Sequence, residues 1–223
     1  MSAFLFSCEH ATCTVPEAYR EYFLGSEEIL TSSEGWEPGA LNLSQAFAMR
    51  FRTPLVHGDV SRLLIDLEKD GDERWSRFSE KISDSMRLRM ADRHERVFRQ
   101  QLKQRITEDI RRYESVVHVM VHTIPDHAGQ VVLMTPEKSV LGDSLAGEWA
   151  SNLRAADVDV RCIRGADTGA FAMALAREFD PVRYAQIRLE VSQNFFLEGK
   201  PLRWETVKKI LLDSLAQAAG QND

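Results

Sequence analysis

At 223 residues, with 43% apolar and 28% charged side chains, the chain is long enough to bury a sizeable core and has the balance of a soluble globular protein. A net charge of −6 without any basic stripe argues against nucleic acid as a partner, and no apolar run approaches the roughly 20 residues of a spanning helix, which argues against a membrane. The apolar stretch at the N-terminus is short and lacks a basic flank, unlike a secretory signal. Cys8, Cys13 and Cys162 form no C-x-x-C pair, so free thiols in a reducing, cytoplasmic setting are expected.

Residues 3–8 are the first apolar run and read as a strand that stops at Cys8-Glu9-His10. A helix is expected next, opened by the capping-box spacing Thr14-x-x-Glu17 with Pro16 in its first turn. In "GWEPGALNLSQAFAMRF", Leu43, Phe47 and Phe51 recur at i, i+4 and i+8, one apolar helical face. Residues 54–57 suit a short strand, and Ser61–Leu67 a second strand or an extended crossing. The charged stretch 78–113 predicts one or two long helices. "VVHVMVH" (116–122) is a nearly unbroken apolar strand, and "QVVLMTP" (130–136) is another. Then follow a helix over 139–156, a strand over 158–163, a helix in "TGAFAMALAREF", the strand "YAQIRLEV" and a closing helix over 204–218. This alternation, with no repeat or linker, predicts one α/β domain over 1–223: three layers, a mostly parallel or mixed sheet covered by helices. Such sheets bind ligands beyond the carboxyl ends of their strands.

Polar residues at those ends are therefore the candidates. Glu9 and His10 end the first strand, His122 ends "VVHVMV", Glu190 lies near the end of "AQIRLEV", and Arg62 and Asp66 flank a short apolar run. Each has a plain structural reading: a solvated histidine, a Glu190 paired with Arg188 or Arg62, an Arg62–Asp66 ion pair. Together, two histidines and a carboxylate suit a zinc ion with an open position, a nearby glutamate suits a general base, and Arg62 offers a planar fork to a substrate carboxylate. His118 lies four residues before His122, so both face the same side of a strand, and it is read as packed within the sheet. His57 is placed to approach the site from the strand before Asp59. His94 and His127 receive no role, Trp36 and Trp204 read as core anchors, and Cys8 reads as a small buried strand residue.

With these residues in view, the chain resembles the N-formylglutamate amidohydrolase family over most of its length. The resemblance rests on five segments in order: "SCEHATCTVP", "EGWEPGALNLSQAFA", "VSRLLIDLEKD", "VMVHTIPD" and "YAQIRLEVSQNFF". It implies a zinc-exopeptidase-like α/β fold and a zinc-dependent hydrolase of N-acyl amino acid amides, with one Zn2+ as cofactor and a small-molecule amide as partner. It implies a metal near His10 and His122 with Glu9 or Glu37 as carboxylate ligand, Glu190 as the catalytic or substrate-orienting acid, and Arg62, positioned by Asp66, as receiver of a substrate carboxylate. The chain departs from the family pattern in Glu37, which stands for an aspartate, and in Glu68-Lys69, which stand for Asn-Arg. An acid at position 68 discourages an acidic substrate side chain. "RCIRGADTGAF" lacks the family's Asn-x-Pro-Tyr-x-Gly, and Arg164 is taken as a substitute substrate contact there. Three functions are consistent with these residues: the zinc amidohydrolase, a non-catalytic relative that binds a metal or metabolite, and a thiol hydrolase that uses Cys8.

Overall fold

Apolar runs without alternation belong to strands covered on both faces, and the two longest strands sit at the centre of the sheet for that reason. The computed structural model describes residues 2–125, 130–197 and 201–221. Six strands, β1 (Ser2–Cys8), β2 (Leu55–His57), β3 (Ser115–Ile124), β4 (Val131–Thr135), β5 (Val160–Arg164) and β6 (Tyr184–Ser192), form one sheet in the order β2-β1-β3-β6-β4-β5. All neighbours run parallel except β4 and β6, so the sheet is mixed, as the alternation of elements implied. β3 is buried at every position but its last, and β6 at every position but Arg188.

The described residues also form eight α-helices: α1 (Glu27–Thr31), α2 (Ala40–Arg50), α3 (Asp84–Met90), α4 (Arg96–Arg112), α5 (Val140–Ala155), α6 (Ala170–Glu178), α7 (Asn194–Leu197) and α8 (Pro201–Ala218). On one face of the sheet, Val117, Val119, Val121, Ile187, Leu189 and Val191 pack against α2, α5 and α8. Phe6, Phe47 and Trp149 interlock there, with ring centroids 5.1 and 5.9 Å apart. On the other face α4 and α6 pack over Leu5, Val116 and Tyr184. Because side chains alternate at every residue, that second face also receives Ser7, Glu9, His118, His122, Gln186, Arg188 and Glu190. No helix among the described residues is long and apolar enough to cross a membrane.

The structure departs from the expected elements at three places. Thr14 opens no α-helix: its hydroxyl pairs with Thr12 at 2.7 Å, and Pro16 leads instead into a 3-10 turn, Glu17–Phe23. Ser61–Leu67 is a series of turns, because its amides close local bonds (Leu64 and Ile65 to the Ser61 carbonyl) or reach loops (Ser61 to Thr14, Asp66 to Arg74) and leave no strand ladder. In the charged helical stretch a π-helical segment, Ala91–Glu95, joins α3 to α4. The extra residue in that turn aims His94 at Asp59 (2.8 Å) and Glu95 at Arg74 and Arg99. Trp204 is a core residue, whereas Trp36 is half-buried with its indole N–H on the Thr31 carbonyl. His127 lies outside the described residues.

Candidate metal centre

Three loops meet where β1 and β3 end. The Glu37 amide donates to the His10 carbonyl at 3.0 Å, and Gly39, with φ of 87°, turns the chain into α2 at once. Ser61 ties the loops together, its hydroxyl on the Gly35 carbonyl and its amide on the Thr14 carbonyl, both at 2.8 Å. Gly58 lets the chain leave β2 directly over Glu9, since a Cβ there would lie 2.2 Å from the Glu9 carbonyl oxygen.

The result is a carboxylate held between two imidazoles. Glu37 Oε1 lies 2.9 Å from His10 Nδ1, and Glu37 Oε2 lies 3.0 Å from His122 Nδ1. The Thr123 amide donates to Oε2 at 3.2 Å, and Arg62 Nη1 approaches Oε1 at 3.4 Å. All three side chains are buried, His10 and Glu37 at 1% exposure and His122 at 0%. Beyond them, His10 Nε2 bonds Asp66 Oδ1 at 2.9 Å and lies 3.7 Å from Glu68. His122 Nε2 faces Glu9 Oε2 and Glu68 Oε1, each at 3.5 Å. Glu190 stands opposite His122 in the β3–β6 register, and its Oε1 accepts from Arg188 Nε at 2.7 Å. Arg188 Nη1 also donates to Glu68.

Charge inside this cluster is strongly coupled. Burial opposes the Glu37 anion, but the charges of His122 and His10 and their hydrogen bonds outweigh it and hold the carboxyl well below the usual range. Burial likewise opposes a charged His10 or His122. Glu37 outweighs it, with Asp66 and Glu68 for His10 and Glu68 for His122, and raises both imidazoles. Burial pushes Glu9 up, only partly offset by His122.

His118 behaves oppositely. Burial, then the charge of His122, lowers it from 6.5 to about 3, so it stays neutral. In the window between those values the unfolded chain binds this proton and the folded chain does not; stability therefore falls as pH drops below 6.5. The expected loss from this group is about 3 kcal/mol at pH about 4.5, from roughly 1.4 kcal/mol per pH unit. Urea titrations at several pH values check it: His118→Gln should show a shallower acid loss than the wild-type chain. Parallel pH profiles would assign the acid limb to other groups.

The donor set suits a divalent ion of zinc type. Two imidazoles and one carboxylate are the mixed nitrogen–oxygen ligands such ions take, and their ligand atoms lie within 4.8 Å of one another. Their 2.9–3.0 Å separations are near the roughly 3.3 Å between two ligands held about 2.0 Å from one tetrahedral ion. His122 Nε2 and Glu9 Oε2 are buried without a hydrogen-bond partner, so the cluster is not saturated by its own bonds. A second grouping, His10, Asp66 and Glu68, uses the far side of the His10 ring.

Among the residues singled out from sequence, the structure brings Glu9, His10, Glu37, Arg62, Asp66, His122 and Glu190 together. Arg62 and Asp66 flank His10 rather than each other, and Arg62 also clamps the carbonyls of Ser33 and Glu34. Arg164 is exposed at the end of the edge strand β5, two strands away from β6. His57 is exposed at the other edge, its Nδ1 on the Gly58 carbonyl, and does not approach the cluster. Cys8 is fully buried, and burial with Glu9 and Glu37 raises its thiol well above normal, the reverse of an activated nucleophile. Sequence reasoning had no place for the Arg188–Glu68 contact. Its only signal was strand parity, which sets Arg188 on the same face as Glu190.

A model of the N-formylglutamate amidohydrolase family matches residues 2–164. No curated protein matches the chain significantly in sequence. The fold is similar to a crystal structure of a gene product from Agrobacterium tumefaciens, with a TM-score of 0.76 and 20% identity over 98% of this chain and 90% of that one. It is also similar to the crystal structure of N-formylglutamate amidohydrolase from Ralstonia eutropha, with a TM-score of 0.68 and 16% identity over 100% of this chain and 96% of that one. A match over residues 2–164 spans well over half of the sequence, and the chain belongs to the N-formylglutamate amidohydrolase family.

Proposed function

We propose that the protein is a zinc-dependent amidohydrolase that cleaves the amide bond of a small N-acyl amino acid. The observation that carries this reading is one buried carboxylate whose two oxygens meet the Nδ1 atoms of His10 and His122 at 2.9 and 3.0 Å, with Glu190 in register beside His122. His10, Glu37 and His122 would hold the ion, which supplies Lewis acidity to a carbonyl and lowers the pKa of water toward about 7. Glu190 takes the proton from the attacking water and returns it to the leaving amine. Asp66 orients His10 through Nε2, leaving Nδ1 turned to the centre. Arg62 donates to Ser33, Glu34 and Glu37 and its Nη1 also lies 3.5 Å from His10 Nδ1, which leaves one Nη2–H for a substrate carboxylate. Arg164, exposed on β5, would serve only a substrate extending towards that edge.

Charge narrows the substrate. Five carboxylates (Glu9, Glu37, Asp66, Glu68, Glu190) surround the centre against the two guanidiniums Arg62 and Arg188, so a bound divalent ion still leaves net negative charge. A substrate with one carboxylate and an uncharged side chain fits better than one with a second carboxylate, as in N-formylglutamate. The test is zinc content together with hydrolysis of a panel of N-formyl and N-acetyl amino acids. One zinc per chain with turnover fastest on uncharged side chains is expected. Stoichiometric zinc with no turnover on any amide would favour a metal- or metabolite-binding protein, and a chain that binds no supplied zinc removes the metal reading.

A further inference from the structure

On the inner face that carries the centre, a row of buried polar side chains crosses three strands and ends at His122. It begins at Gln186, whose amide nitrogen donates to the Ala172 carbonyl at 2.7 Å and to Tyr184 Oη at 2.9 Å, while its oxygen accepts from Thr168 at 3.4 Å. Tyr184 Oη meets His118 Nδ1 at 2.8 Å, His118 Nε2 meets Ser7 Oγ at 2.8 Å, and Ser7 Oγ donates to Glu9 Oε1 at 2.8 Å. Glu9 Oε2 then faces His122 Nε2 at 3.5 Å, as Glu68 Oε1 does from the other side of the cluster, and neither Glu9 Oε2 nor His122 Nε2 closes a hydrogen bond.

The direction of every bond follows from the far end. A carbonyl can only accept, so Ala172 fixes Gln186 with its NH2 group towards Tyr184. Tyr184 therefore accepts from Gln186 and spends its single proton on His118 Nδ1; burial raises the phenol's pKa and keeps it protonated. A neutral His118 that accepts at Nδ1 must carry its proton on Nε2, and that proton goes to Ser7. Ser7 is left with one proton, which goes to Glu9. Glu9 Oε1 is thus an acceptor and Oε2 is left facing the His122 ring, whereas Glu68 Oε1, equally near that ring, already accepts from Arg188 Nη1.

We infer that Gln186, Tyr184, His118 and Ser7 form a one-way hydrogen-bond chain that holds Glu9 as the acceptor for His122 Nε2–H, so that Glu9 is a positioning residue for the metal centre rather than a metal ligand. The inference rests on the zinc reading above. A proton kept on Nε2 leaves the Nδ1 lone pair of His122 turned towards Glu37, the tautomer a metal at that position needs. Asp66 does the same for His10 from the opposite side. His122 differs in that its partner is itself oriented by a chain of four residues from β1, β3 and β6.

Zinc affinity measured by chelator competition tests the chain. Glu9→Gln should weaken zinc by about 10- to 100-fold, the usual range for a lost outer partner of a ligating histidine. Ser7→Ala should weaken it to a smaller extent, and the double variant no further than Glu9→Gln, since the two act in series. Leu133→Ala, buried on the opposite face, should lower stability and leave zinc affinity unchanged. Ring-nitrogen NMR of the zinc-loaded wild-type chain gives a second readout that needs no variant: His118 and His122 should both be protonated at Nε2. Unchanged zinc affinity in Glu9→Gln, or His118 protonated at Nδ1, overturns the inference while leaving the amidohydrolase reading intact. A wild-type chain that binds no zinc overturns both.

Discussion

Glu37→Ala is expected to abolish stoichiometric zinc and to lower the stability of the metal-free chain by about 3–5 kcal/mol, the range for removing one partner from a buried charged cluster. Glu37 accepts from or faces four groups at once, His10, His122, the Thr123 amide and Arg62, and it is 1% exposed. Its loss leaves two buried imidazoles and a guanidinium facing one another without an anion between them. The anion also raises both histidines, so their titration should fall towards or below the ordinary imidazole range in the variant. Metal analysis after zinc loading, and urea unfolding in excess chelator, read the two effects separately. Retention of one zinc per chain would show that Glu37 is dispensable, and would shift attention to the His10, Asp66 and Glu68 grouping.

The second large effect is expected at Glu190. Glu190→Gln should lower kcat by about 10²–10⁴ with zinc content and unfolding midpoint close to wild type. The substitution keeps the shape of the side chain, and its amide oxygen can still accept from Arg188, which also retains Glu68. Proton transfer is the one capacity removed. A kcat within a few-fold of wild type would sink the role of Glu190 as the proton carrier. A parallel loss of zinc would instead make it a structural member of the centre.

Much of the fold could be read from the chain because it depends on apolar patterning. "VVHVMVH" and "YAQIRLEV" are strands of the centre, β3 and β6, because both their faces are covered and apolar residues run through them. Ser61–Leu67 misled for the same reason in reverse. Leu64, Ile65 and Leu67 are all buried, but their burial comes from packing in turns, and a short apolar run does not say how its backbone bonds are made. The Thr14-x-x-Glu17 spacing failed because the Thr14 hydroxyl had a nearer partner in Thr12.

The sequence by itself determined which chemical groups gather at the strand ends. The rule that α/β sites lie beyond the carboxyl ends of strands selects His10, His122 and Glu190 without any coordinates, although alternation along the first strand by itself would put Glu9 rather than His10 on the face of His122. Only the tertiary structure decided how those groups face one another. Glu9 and Glu37 are equivalent in composition, but Glu37 sits between two Nδ1 atoms while Glu9 faces the far nitrogen of His122. The meeting of Glu68 with Arg188, 120 residues apart, is likewise a consequence of packing. Hydrogen-bond direction is a property of atoms fixed within a few tenths of an ångström, and local sequence carries no such information across three strands.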